Sequence, residues 1–366
     1  MKIERAIISG GGTGGHIFPA IAIADELKRR NPEVEILFVG AVGKMEMTKV
    51  PEAGYKIEGL EIVGLKRKLA LSNFALPFKI IKSLLKARKI VKSFNPQVVV
   101  GVGGYASGPT LKAATMLKYP SIVQEQNSFP GKTNKILSKS VTKICVAYDG
   151  LERFFPKEKI VFTGNPTRKE MVEISGKAKE GFEFYGFDAS KPVILVIGGS
   201  LGARTLNESV VDHLDELVFD NVQVLWQCGK LYNGQLQEKL KGKDMGAVKM
   251  VQFIERMDLA YAIADVVISR AGAISVSELC LVKKPTILVP SPNVSEDHQT
   301  KNAMALVEKN AAILVKDVDA KAELLAEAIR LIGDNDQKAE LIKNIETLGR
   351  PNATSEIVNV LEGIAK

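Results

Sequence analysis

The chain has 366 residues, 46% hydrophobic and 25% charged, a length for two ordinary domains and a composition of soluble globular proteins. No apolar run approaches the ~18–20 residues of a spanning helix, and Cys145, Cys228 and Cys280 with His16, His213 and His298 give neither metal-ligand spacing nor a disulfide framework. The net charge of +8 is uneven, with 26 Lys and Arg against 13 Asp and Glu through Thr163 and 24 against 29 beyond it, so the first half is suited to an anionic partner.

MKIERAIISG has too short an apolar stretch for a signal peptide and reads as a first strand, which points to a cytoplasmic protein. It runs into SGGGTGGHIFPA (9–20), where Gly10, Gly12 and Gly15 satisfy G-x-G-x-x-G and His16 follows. A dinucleotide site requires a carboxylate at the end of the second strand for the ribose. Here EILFVG ends Val39-Gly40-Ala41 without one. What remains is a set of bare amides at a helix N-terminus, suited to an electron-rich oxygen. Tight helix–strand packing is the alternative explanation of those glycines.

From Ile62 to Gln124 there is no acidic residue, and eleven are basic. In PFKIIKSLLKARKIVKSF, Lys79, Lys82, Lys86 and Lys89 share one helical face, with Phe78, Ile81 and Leu85 beside them. Ile80, Leu84, Ala87 and Val91 are expected to face the core. The pattern fits a helix resting on an anionic bilayer, extended by Lys66, Arg67 and Lys68; it fits a wide core face with a solvated basic rim nearly as well.

QVVVGVG leads into a second glycine turn, GVGGYASGP (101–109), and SIVQE ends at Glu125, the carboxylate nearest these motifs. KICVA and KIVFTG follow. Gly164 and Pro166 punctuate FTGNPTR (162–168), which sets the expected domains at 1–163 and 164–345. KPVILVIGGSLGA then repeats the plan of ERAIISGGGTGG. Strands VQVLWQCG, VKMVQF, VVISR, TILVP and AAILV carry two more glycine turns, GGSLGAR (198–204) and SRAGAISVSEL (269–279). Short β-branched runs separated by helix-length segments predict an α/β protein with two doubly wound parallel sheets and a ligand cleft between them.

Four glycine turns, two per half, suit two substrates rather than one dinucleotide. Amides at Ala273 and Ile274 would receive a diphosphate, and Glu278 both hydroxyls of a ribose; from spacing alone an ordinary acid near a helix start explains Glu278 slightly better. Ser200 and Arg168 would add a hydroxyl and a guanidinium, with Arg204 and Arg270 as alternatives. Asp317-Val318-Asp319, an Asp-x-Asp, reads as a surface turn or helix cap.

Seven motifs in order, GGGTGGHIFPAIAIADEL, GVGGYASGPTLKAA, EQNSFPGKTNKIL, FTGNPTR, GGSLGAR, RAGAISVSEL and EDHQTKNA, resemble the MurG family over nearly the whole chain. These bacterial transferases move N-acetylglucosamine from UDP-GlcNAc to lipid I, undecaprenyl-pyrophosphoryl-MurNAc-pentapeptide, and so form lipid II. The resemblance implies a GT-B fold of two Rossmann-like domains, inversion at the anomeric carbon, no cofactor or bound metal, and a helix within 346–366 that crosses back to the first domain. Carried over, the donor would meet Thr13, Gly14, Gly15 and Asn127 from the first domain. From the second it would meet Arg168, Ser200, the Ile254 backbone, Ala273, Ile274, Ser275, Val276, Ser277, Glu278 and, at the sugar, Gln299. Gly103, Gly104 and Tyr105 would line the acceptor site. Many members have Gln where this chain has Leu201, so no polar contact is expected there; the spacing around Gln299 also varies.

For the proton of the attacking hydroxyl, His16 and Glu125 are the candidates. An imidazole at the positive end of a helix stays neutral and accepts a proton; a ring that only orders the loop is the alternative. The membrane-held acceptor favours the bilayer reading of the basic helix, at the cytoplasmic face of the plasma membrane, with other cell-wall and division proteins as further partners. Rival readings are a diacylglycerol-directed UDP-sugar transferase, a UDP-GlcNAc epimerase, a nucleic-acid binder and a dehydrogenase. The acceptor motifs argue against the first two, the lack of interleaved aromatics against the third, and the missing ribose carboxylate against the last.

Overall fold

A computed structural model describes residues 2–62, 76–167, 172–219 and 222–366. The chain divides into two compact units, Met1–Arg168 with Arg350–Lys366, and Lys169–Gly349.

The first unit is built on seven strands: β1 Arg5–Ser9, β2 Glu35–Ala41, β3 Lys56–Leu60, β4 Val98–Gly101, β5 Ser121–Glu125, β6 Lys143–Val146 and β7 Ile160–Phe162. They lie in the order β3-β2-β1-β4-β5-β6-β7, all parallel. Parallel strands need helical crossovers on both faces, so their side chains are buried on both sides. In β1, Ala6 and Ile8 join one core cluster and Ile7 the other. The second unit repeats the scheme with β8 Val193–Ile197, β9 Gln223–Gln227, β10 Val248–Val251, β11 Val266–Ser269, β12 Thr286–Leu288 and β13 Ile313–Leu314, ordered β10-β9-β8-β11-β12-β13. Its core centres on Trp226, which is fully buried and donates its indole N–H to Asn207 Oδ1 at 2.9 Å.

One strand, β3, goes beyond the sequence reading. Its KIEGL is an edge strand with only Leu60 fully buried, so it shows no strong apolar run. A second difference concerns the basic helix Leu76–Phe94. Along the stripe expected to face the core, Ala87 and Val91 are buried and Leu84 is half-buried, but Ile80 is 53% exposed. The helix therefore leaves the core at its N-terminal end, and Ile80 joins Ile81 and Leu85 in the solvent.

The last helix, Ala353–Ile364, completes the first unit by burying Ile357, Val358 and Leu361 against the β1 side of the core. Arg30, at the end of the helix Gly14–Arg30, holds it there. Its guanidinium donates to Asn359 Oδ1 at 2.7 Å, Glu362 Oε2 at 2.8 Å and the Ser355 carbonyl at 2.8 Å, while Glu26 accepts from Nε. Residues 163–167 stay with this unit too, because Asn165 bonds Gln124 and Gln126 and Arg350 stacks on Phe162 at 4.3 Å.

Candidate active site

Sheet order places the chemistry. In each unit the strand order reverses beside the first strand, between β1 and β4 and between β8 and β11, so the loops after those strands diverge and leave a crevice at their C-terminal ends. The four glycine turns of the sequence follow β1, β4, β8 and β11. Every one sits at a switch point.

In the first unit the two turns interlock. A Cβ on Gly104, at φ +84°, would land on the Gly11 backbone, and one on Gly103 would lie 2.7 Å from the His16 ring. A Cβ on Gly11 would strike the Glu46 carboxylate. These three glycines serve the packing of the two turns on each other and on Glu46. Gly15 differs: it is exposed, and the nearest atom to a Cβ there is Thr13 Oγ1 at 3.7 Å. Among the described residues no neighbour requires glycine at that position.

Glu46 escaped the sequence reading. The carboxylate that strand β2 lacks comes instead from the next helix, Glu46–Glu52, and is 1% exposed. It accepts from Gly12 N–H at 2.7 Å and Ala41 N–H at 2.9 Å, so it braces the glycine turn. The sequence signals were two glycines, Gly11 and Gly40, against which the Glu46 side chain packs.

His16 lies in the first turn of the helix Gly14–Arg30, which has no acidic residue there. Its Nδ1 is 3.1 Å from the Gly11 carbonyl oxygen and 3.3 Å from Thr13 Oγ1. The carbonyl only accepts, so Nδ1 carries a hydrogen, and in the neutral ring the lone pair falls on Nε2. Tyr105 is 51% exposed beyond the β4 turn, with Lys44 Nζ 5.9 Å from its ring centre.

Glu125 ends β5 and is 1% exposed. One oxygen accepts from Asn127 N–H at 3.0 Å and Asn127 Nδ2 at 3.2 Å, the other from Gly131 N–H at 3.2 Å and Asn134 Nδ2 at 2.8 Å. Burial pushes its carboxyl above the usual range and these four donors pull it back only in part. Both oxygens are engaged in shaping the loop that carries Asn127.

In the second unit, Ser200 and Leu201 are exposed at the tip of the β8 turn, Leu201 by 53%. Their carbonyls accept from Lys230 N–H at 3.0 Å and Leu231 N–H at 3.2 Å. A Cβ on Gly202 would meet the Cys228 carbonyl and one on Gly229 the Gly202 backbone, the same interlocking of glycines as in the first unit. Ile254, after β10, is buried, with 2% of the residue exposed.

The helix Ala273–Val282 starts after Gly272 with no side-chain cap and no acid in its first turn. Half-buried Ala273, Ile274 and Ser275 form that turn, whose amide donors face outward along the axis. Val276 is different: its side chain is buried and its N–H donates to Gly272 at 2.9 Å. Ser277 Oγ donates back to the Ala273 carbonyl at 3.0 Å. One turn on, Glu278 Oε2 accepts from Tyr261 O–H at 3.3 Å; burial and the Glu278 charge keep that phenol protonated and a donor.

Gln299 is the second residue of the helix His298–Val307, and its Oε1 accepts from Ser291 N–H at 2.8 Å. Between them Glu296 and Asp297 are left-handed at φ +56° and +52°. Two consecutive non-glycine residues there cost about 1–2 kcal/mol each, strain of the kind concentrated at ligand loops.

Arg270 is otherwise engaged: Nη1 donates to the Val289 and Pro290 carbonyls at 3.0 and 3.3 Å and to Asp317 Oδ1 at 2.5 Å. Asp319 occupies the N-cap position of the helix Ala320–Gly333 but makes no side-chain cap hydrogen bond, so the expected cap is one of position only. Among the described residues no group of three His, Cys, Asp or Glu side chains is placed to hold a metal ion. Arg168 and the run Lys66, Arg67, Lys68 lie outside the described residues, as do the side chains of Phe78 and Lys79.

Residues 6–146 match the glycosyltransferase family 28 N-terminal domain and residues 193–357 the family 28 C-terminal domain. A UDP-N-acetylglucosamine--N-acetylmuramyl-(pentapeptide) pyrophosphoryl-undecaprenol N-acetylglucosamine transferase of Cytophaga hutchinsonii is 55% identical, across 98% of this chain and 96% of its own length. The protein of that name in Flavobacterium psychrophilum is 53% identical, across 98% and 97%. Among solved structures, Acinetobacter baumannii MurG superposes with a TM-score of 0.77 at 29% identity, covering 98% of this chain and 99% of that one.

Proposed function

The chain belongs to glycosyltransferase family 28, and from that premise we propose how it transfers N-acetylglucosamine from UDP-GlcNAc to the MurNAc 4-hydroxyl of lipid I, forming lipid II. The observation that carries the reading is the placement of all four glycine turns at the β1/β4 and β8/β11 switch points.

On this reading the second unit holds the donor. Amides at the start of Ala273–Val282 and the Ser200 hydroxyl receive the diphosphate, with Arg168 as a further cation. Glu278, oriented by Tyr261, takes the ribose hydroxyls, the Ile254 backbone takes the uracil, and Gln299 takes the sugar. The first unit supplies Thr13, Gly14, Gly15 and Asn127 to the donor, and Gly103, Gly104 and Tyr105 to the acceptor. Inversion needs one in-line displacement. The acceptor oxygen forms its bond to the anomeric carbon, the bond to the β-phosphate oxygen breaks, and UDP leaves with that electron pair. The hydroxyl proton passes to His16 Nε2. Fixed amide dipoles at a helix start stabilise the charge growing on the departing phosphate, a role preorganised donors perform without reorganisation.

The acceptor's polyprenyl chain stays in the bilayer, so the enzyme works at a membrane surface, in this proposal the cytoplasmic face of the plasma membrane. Among the described residues no helix is long and apolar enough to cross a membrane. Ile80, Ile81 and Leu85 are 53%, 54% and 60% exposed on a helix that also exposes Lys82, Lys86 and Lys89. Exposed apolar side chains flanked by cations suit an anionic bilayer.

The test is transfer of radiolabel from UDP-GlcNAc to a lipid I analogue, with UDP located in soaked crystals. Uridine bound away from Ile254 and Glu278 would refute the site, and absence of transfer the activity. Sedimentation with vesicles of rising anionic-lipid content tests the membrane face; binding indifferent to that content would remove it.

A further inference from the structure

We infer that Asp317 is a positioning residue for the donor site, acting through Arg270 and Thr205; this rests on the donor reading given above. Asp317 follows β13, and its two oxygens serve different loops. Oδ1 accepts from Arg270 Nη1 at 2.5 Å, and Oδ2 accepts from Thr205 O–H at 3.0 Å. Thr205 is the second residue of the helix Arg204–Asp212, which springs from the β8 glycine turn. Arg270 leads from β11 into Gly272 and the donor helix Ala273–Val282, and the same Nη1 holds the Val289 and Pro290 carbonyls after β12. The next residue, Ser291, donates its N–H to Gln299. One carboxylate thus joins the loops that follow four adjacent strands, β8, β11, β12 and β13, at the edge where phosphate and sugar are read.

The pair is mostly shielded, with side chains 13% and 18% exposed, so it is not a solvated surface contact. A partly buried guanidinium needs its counter-charge. Pairing Arg270 with Asp317 has a second effect: the anion is left to the amides, the Ser200 hydroxyl and Arg168 rather than to Arg270. The spacing between the donor helix and the Ser291–Gln299 loop is then set by the protein before the donor arrives.

Asp317→Ala is expected to raise the UDP-GlcNAc KM and the UDP Kd by about tenfold, with the lipid I KM unchanged. Thr205→Val, which cuts only the arm to the β8 turn, is expected to weaken UDP two- to fivefold, and the double variant to be no weaker than Asp317→Ala alone. Titration of UDP at a temperature where every variant is folded, read beside the thermal midpoint, separates positioning from bulk stability. A lowered midpoint with unchanged UDP affinity would overturn the inference, as would tighter UDP binding in Asp317→Ala, which would mean that Arg270 had only been held away from the phosphates. If the unaltered enzyme fails to transfer from UDP-GlcNAc, the functional reading fails, and not this brace alone.

Discussion

The Nδ1 of His16 lies 3.1 Å from the carbonyl oxygen of Gly11, a group that only accepts. That contact places a hydrogen on Nδ1, so in the neutral ring Nε2 is the acceptor, toward the β4 turn where a Cβ on Gly103 would sit 2.7 Å away. His16→Ala is expected to lower kcat by about 10²–10⁴ while UDP affinity stays the same. Steady-state kinetics with a lipid I analogue and calorimetric titration of UDP check the two halves separately. A loss confined to UDP affinity would move His16 to the binding groups.

Gly15 and Gly104 should respond in opposite ways to the same methyl group. Gly15 has open space and sits in a helix, so Gly15→Ala is expected to leave the thermal midpoint unchanged or higher, alanine being favoured there by up to about 1 kcal/mol. If substrate atoms approach that amide, kcat/KM falls tenfold or more. Gly104→Ala drives a methyl into the Gly11 backbone at a left-handed φ and is expected to destabilise the fold itself. An active Gly15→Ala enzyme would mean that nothing approaches there.

Glu125→Gln replaces an oxygen that accepts two hydrogen bonds with an NH₂ facing two donors, whichever way the amide turns. The expected loss is about 1–3 kcal/mol of stability, with a lower kcat from a loosened Asn127 loop. The pH profile of kcat should keep its shape. If the variant removed the acid limb instead, Glu125 and not His16 would be the base.

Acid should loosen the last helix first. Arg29 and Arg30 hold the Glu26 carboxyl down to about 2 from its ordinary 4.5, against the opposing effect of burial. Its folded pKa is depressed, so the unfolded chain binds the extra proton between those values and stability rises with pH across that window. The contribution is complete above about pH 5 and is lost as pH falls toward 2. Arg29 is largely exposed, so solvent screening reduces it to on the order of 1–2 kcal/mol. Denaturant melts of Glu26→Gln and the unaltered protein should differ at pH 6 and converge near pH 2; a constant gap would contradict the assignment.

The strands were legible because runs such as VILVI and QVVVG are buried on both faces and carry little else. β3 was not, since an edge strand exposes Lys56 and Glu58 and needs no continuous apolar run. The glycine turns were legible as turns, but not which glycines serve the protein and which serve a ligand. That distinction depends on contacts such as Gly11 against Gly104, far apart in the chain. Glu46, Asp317 and Arg270 could not be assigned for the same reason: each meets its partner only after the sheet has brought distant loops together. Ile80 had the right helical phase but sits beyond the end of the core, and phase carries no information on height.

The embrace of Arg30 around the last helix has a consequence for synthesis. The second unit is one uninterrupted stretch, Lys169–Gly349, whereas the first lacks Ile357, Val358 and Leu361 until the whole second unit has been synthesised. The usual order of vectorial folding, N-terminal part first, is therefore reversed for final consolidation. The later half closes while the earlier half waits with part of its apolar sheet uncovered, which makes the nascent first unit the segment most in need of chaperone protection.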